Sequence, residues 1–136
     1  MPIEPGLIGE LTLIVQESDT ARFSGGENLP PVFSTPNVVK LLERTSNVTI
    51  QPYLLEGQGS VGTVVNIRHL AATPVGFTVR TRVEVLEVEG RRVKFKVEAW
   101  DDLEKIAEGE HERFIIDLGK FIDRVEKKRL EHGPKR

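Results

Sequence analysis

The chain has 136 residues, no cysteine, and a formal net charge of −2 from 19 basic and 21 acidic side chains. That length suits one domain spanning residues 1–136, with a core that needs no disulfide or metal to hold it. Without cysteine there is no disulfide framework, thiolate nucleophile or Cys-type zinc site, and the near-balanced charge argues against a nucleic-acid partner.

The opening residues M-P-I-E-P-G-L-I-G-E have neither the basic start nor the apolar run of a signal peptide. No apolar segment approaches the roughly 20 residues that span a bilayer. No membrane partner is expected, and a reducing cytoplasm is the compatible compartment. The tail mixes Lys127, Lys128, Arg129, Lys135 and Arg136 with Asp123, Glu126 and Glu131, the pattern of a solvated helix face.

Residues 9–17 alternate, with Leu11, Leu13 and Val15 on one side, and predict a half-buried strand. From Ser18 to Pro31, Gly25-Gly26 and Pro30-Pro31 break any period, which predicts a long loop. Thr35 before Pro36 reads as a helix N-cap with proline in the first turn. In the helix that follows, Val38, Val39, Leu41, Leu42, Thr45, Val48 and Thr49 form an apolar stripe, and Glu43 lies at its edge.

After the L-E-G-Q-G linker, period-two alternation predicts strands. Over residues 60–70 it puts Val61, Thr63, Val65, Ile67 and His69 on one face and Gly62 on the other. Residues 71–76 turn. The strand Phe77 to Val85 then folds back through Glu89-Gly90-Arg91 onto Val93, Phe95, Val97 and Ala99 as an antiparallel hairpin. A further strand runs from Lys105 to Asp117, and an amphipathic closing helix from Leu118 to His132, with Leu118, Phe121, Ile122, Val125 and Leu130 at helical spacing, ends at Gly133-Pro134. This order predicts an α+β fold, an antiparallel sheet wrapped around one central helix, with a C-terminal helix. Such a sheet leaves an edge that a second copy would protect, so a homodimer is expected.

Three side chains in this order have chemistry to offer. Glu43 is either a surface carboxylate paired with Lys40 or Asn47, or an acid/base group at the core's margin. His69, on an apolar strand face, is either a satisfied core residue or a general base. Thr35 is either the cap or a hydroxyl that acts as nucleophile or positions the acyl group. On a straight helix Thr35 and Glu43 stand about 12 Å apart along the axis and about 80° apart around it, so they do not touch. Either the chain turns back before Pro36, or one of the two groups comes from a neighbouring subunit. Gly62, lacking Cβ, is a candidate for presenting a backbone N–H to an oxyanion, or else a strand glycine at a bulge. His111 and His132 read as surface residues, and no metal-ligand motif is present.

Residues 31–43 (P-V-F-S-T-P-N-V-V-K-L-L-E), G-Q-G-S-V-G-T, R-H-L-A-A-T-P-V-G, E-G-R-R-V and E-G-E-H-E-R together resemble hotdog-fold thioesterases, and among them the fluoroacetyl-CoA thioesterase-like family. The likeness runs over roughly residues 9–122. It implies a hotdog fold, acyl-CoA as substrate, no cofactor beyond the coenzyme A of that substrate, and a site at a dimer interface. It also implies Thr35, Glu43 and His69 as the catalytic set. In that family the loop before the helix is longer and supplies phenylalanines that gate the acyl pocket; here Gly26 and Leu29 stand near their place. Hydrolysis of a small acyl-CoA is the expected activity. Enoyl-CoA hydration and idle acyl-CoA binding are the alternatives.

Overall fold

The computed structural model describes residues 2–134; Met1 and the tail's Lys135 and Arg136 lie outside the described residues. Five strands form one antiparallel sheet: β1 (Ile8–Ile14), β2 (Gln58–His69), β3 (Thr78–Glu89), β4 (Arg92–Trp100) and β5 (Lys105–Asp117), in the spatial order β1-β3-β4-β5-β2. Helix α1 (Ala21–Gly25) is a single short turn, α2 (Thr35–Ile50) packs across one face of the sheet, and α3 (Leu118–His132) follows β5. The expected sheet around a central helix is therefore the observed architecture.

The alternation dictates which sheet face α2 covers. Val79, Thr81, Val83 and Val85 of β3, with Val93, Phe95, Val97 and Ala99 of β4, are all buried against Val38, Leu41, Leu42 and Ile50 of α2. Burying one such side chain as completely as Leu42 contributes about 1.5–3 kcal/mol. The threonine within the stripe is satisfied: Thr45 donates to the Leu41 carbonyl at 2.7 Å, and its oxygen lies 2.6 Å from that of Thr81, which ties the helix to β3. At Gly9 a Cβ would collide with Thr49, so the close approach of β1 to α2 requires glycine there.

Four expectations need correction. The stretch from Ser18 to Pro31 is not a structureless loop: Thr20 caps α1 by accepting from Phe23 N at 3.2 Å, and bridges with Phe33 across the segment. On α2, Val48 is exposed and Ser46 is buried, because the helix presents its Leu42–Ser46 side to the sheet where Ser46 donates to the Leu42 carbonyl. Most of the apolar stripe of α3 is uncovered in a single chain: Leu118, Ile122, Val125 and Leu130 are exposed, and Phe121 alone is half-buried. The fourth concerns β2. Its pairing with β5 shifts between Gly62 and Val64, leaving Thr63 as an extra residue. That bulge turns Gly62 onto the same face as Val65, Ile67 and His69. β2 is also an edge strand, with Val64 and Val65 half exposed. Among the described residues no helix is long and apolar enough to cross a membrane.

Candidate active site

The N-terminus of α2 is held by the chain around it. Ser34, not Thr35, is the cap, accepting from Asn37 N at 3.2 Å. Ser34 N donates to the Asp19 carbonyl at 3.0 Å and Phe33 N to the Thr73 carbonyl at 2.8 Å. Thr73 itself is fully buried and donates to Asp101 at 2.9 Å. The A-A-T-P turn after β2 is thus fastened to the start of α2, and this fastening brings two side chains distant in sequence into contact.

The Thr35 Oγ1 and His69 Nδ1 atoms lie 2.8 Å apart. Relieved of the capping role, the Thr35 hydroxyl is free to donate to an unprotonated Nδ1. His69 Nε2 is buried with no hydrogen-bond partner. Burial pulls the imidazole below its ordinary pKa. A neutral imidazole bonded to an exposed hydroxyl is the arrangement of an activated nucleophile and its base.

Glu43 and Gly62 are brought together elsewhere. A Cβ on Gly62 would lie 2.5 Å from Glu43 Oε2 and 3.1 Å from His111 Cε1. Glu43 pairs with neither Lys40 nor Asn47; its charge partner is Arg113 of β5, with Nη1 3.7 Å from Oε2. Asn47 instead accepts from Ser60 Oγ at 2.7 Å. His111, expected on the surface, is fully buried, stacks on Phe95 at 6.1 Å between ring centroids, and bonds through Nδ1 to the Val64 carbonyl at 2.8 Å.

α2 runs antiparallel to β2, so these are two clusters at opposite ends of one seam. The Thr35–His69 pair sits at one end and Glu43–Gly62–Arg113 at the other. Helical rise alone separates Thr35 from Glu43 by about 12 Å. A cleft of about 380 Å³ between Asn66, Arg68, Lys96 and Glu108 opens on the sheet face away from α2 and touches neither cluster.

Sequence reading passes over Arg113 and misplaces His111. The signal is present in the period of β5: Glu108, Glu110 and Glu112 alternate with Gly109, His111 and Arg113. Three carboxylates on the outer face place the imidazole and guanidinium on the face that α2 covers.

Comparison with known proteins identifies relatives in sequence and in fold. Residues 15–118 match the model of the fluoroacetyl-CoA-specific thioesterase family, FlK. The fluoroacetyl-CoA thioesterase of Streptantibioticus cattleyicolor is 43% identical over 99 residues, 73% of this chain and 71% of that protein. The solved structure of the fluoroacetyl-CoA thioesterase FlK superposes with a TM-score of 0.89 at 35% identity, covering 94% of this chain and 98% of that one. A hot-dog-like protein from Thermanaerovibrio acidaminovorans superposes with a TM-score of 0.84 at 26% identity, covering 96% and 94%.

Proposed function

This chain belongs to the fluoroacetyl-CoA-specific thioesterase family and is an acyl-CoA thioesterase of hotdog fold, and we propose that it hydrolyses a small acyl-CoA at a site that two copies build together. The observation that carries this reading is the 2.8 Å contact between Thr35 and His69. Thr35 Oγ1 attacks the thioester carbonyl carbon while His69 Nδ1 takes its proton. The C–S bond then breaks, and the proton leaves with the sulfur of coenzyme A. Water hydrolyses the acyl-threonine with His69 again as base, regenerating the hydroxyl and releasing the acid.

A second copy supplies what this end of the seam lacks. β2 is an exposed edge, and its two clusters lie on one face at opposite ends. Antiparallel pairing of two β2 edges about a two-fold axis sets the Gly62 end of one copy against the His69 end of the other. Gly62 then offers its backbone to the oxyanion, Glu43 faces the water that releases the acid, and Arg113 faces the acyl group. The reading needs no cofactor, since coenzyme A arrives as part of the substrate. It treats residues 1–136 as one domain working in the cytoplasm.

Release of free thiol from a panel of short-chain acyl-CoAs tests the activity, with turnover expected for the small acyl groups. No turnover on any of them contradicts it. Two further results are expected. Because burial lowers the His69 pKa, the base form persists to lower pH than for an ordinary imidazole. The acid limb of kcat/KM should therefore have its midpoint below 6.5; a midpoint above that value would remove His69 as the base. Gly62→Ala should fold, because the clash its Cβ makes at 2.5 Å is with the flexible end of Glu43, while His111 Cε1 at 3.1 Å has to give by only a few tenths of an ångström. It should nevertheless lower kcat/KM by roughly tenfold or more, with Tm nearly unchanged. An unchanged kcat/KM would place Gly62 outside the site.

A further inference from the structure

Arg113 is only 7% exposed, and its neighbours account for most of its hydrogen-bonding capacity. Nε donates to Ser60 Oγ at 2.7 Å and Nη2 to the Ser60 carbonyl at 2.9 Å. Nη1 lies 3.2 Å from His111 Nε2. A guanidinium has five N–H donors and no acceptor. His111 Nε2 must therefore be the acceptor, which leaves the imidazole proton on Nδ1, where it donates to the Val64 carbonyl at 2.8 Å.

The imidazole is thus a fixed strut between the β2 bulge and the guanidinium. Its tautomer is set at one end by a backbone carbonyl and at the other by a cation. Once these bonds are made, Arg113 has one N–H left on each terminal nitrogen, and Nη1 is the nitrogen that faces Glu43.

We infer that His111 is a positioning residue of the thioesterase site, its Nε2 orienting the Arg113 guanidinium so that the remaining N–H groups point past Glu43 to the acyl group. The inference rests on the proposed composite site, in which Arg113 lines the acyl end. His111 touches no reacting atom; its effect on turnover passes through Arg113. The strut also links that effect to the bulge at Thr63, because Val64, the next residue, supplies its other anchor.

The side-chain lengths of asparagine and glutamine separate orientation from packing. In His111→Asn the amide reaches the Val64 carbonyl but not Arg113; in His111→Gln the amide oxygen reaches Arg113 in place of Nε2. His111→Asn should lower kcat/KM for the best short acyl-CoA by about tenfold or more, and His111→Gln should recover most of that loss at similar Tm. In an Arg113→Met background, the change from His111 to Asn should alter kcat/KM by less than about twofold, because the group it orients is gone.

Equal losses in the Asn and Gln variants, or a loss of the same size with and without Arg113, would overturn the inference. Full activity in His111→Asn while Thr35→Ala is inactive would overturn it alone. Full activity in Thr35→Ala would overturn the site reading and this inference with it. Imidazole ¹⁵N shifts of the native protein give a readout independent of turnover. They should show His111 protonated on Nδ1, and protonation on Nε2 would contradict the strut.

Discussion

Thr35→Ala and His69→Ala should each lower kcat by about a thousandfold or more, and the double variant should be no worse than either single one. In the proposed mechanism nucleophile and base act as a unit, so removing either abolishes the activated hydroxyl, and the second removal has nothing left to take away. The 2.8 Å contact between Oγ1 and Nδ1 is the physical unit concerned. Neither variant should unfold the protein. Thr35 is exposed and the capping role belongs to Ser34, so losing the hydroxyl leaves α2 fastened by Ser34, Asn37 and Phe33. Steady-state kinetics on one short acyl-CoA, with circular dichroism of each variant, checks both statements. Losses that multiply in the double variant would show two independent contributions instead of one dyad.

The second large effect is expected at the β2 edge. Val64 and Val65 are 44% and 46% exposed in a single chain, so lysine at both positions is tolerated by the fold of one copy. Both lie near the midpoint between Gly62 and His69, where a two-fold axis would pass. Four lysines would then converge on that axis, and like charges opposed across paired strands destabilise the pairing. The Val64→Lys, Val65→Lys double variant should sediment as a folded monomer and lose nearly all turnover, although none of Thr35, His69, Glu43 or Arg113 is altered. A folded monomer with native turnover would show that one chain completes its own site.

Most of the fold was legible in the order of the residues. The alternation of β3 and β4 and the stripe of α2 each point to one buried face, and those faces meet in the structure. The C-terminal helix was legible in extent but not in environment, because a 3.6-residue apolar period says that a face wants cover and not what covers it. Thr35, Glu43, His69 and Gly62 were legible as candidates, but their grouping was not. Threonine before proline satisfies the pattern of a cap, yet the serine one residue earlier takes that role, a choice of one residue that propensity does not make.

The bulge had the larger consequence. Strict alternation puts Gly62 and His69 on opposite faces, and one extra residue at Thr63 puts them on the same face. Bulges leave little mark in a pattern of valines and threonines. His111 was hidden differently, since a histidine between two glutamates reads as surface until the strand's two faces are separated. The 12 Å between Thr35 and Glu43, by contrast, follows from helix geometry alone. It already argued that one chain does not bring the two together.

The composite site can be tested directly by mixing two chains that each carry one lesion and turn over far below the native rate. One carries Thr35→Ala and the other Arg113→Met, and the two are unfolded together and refolded at equal concentration. If each site takes its nucleophile from one copy and its guanidinium from the other, half of the dimers are mixed and each of these has one intact site. The mixture should then regain about a quarter of native turnover. If one chain supplies both groups, every site in every dimer keeps a lesion, and the mixture should stay at the mean of its parents' residual turnover.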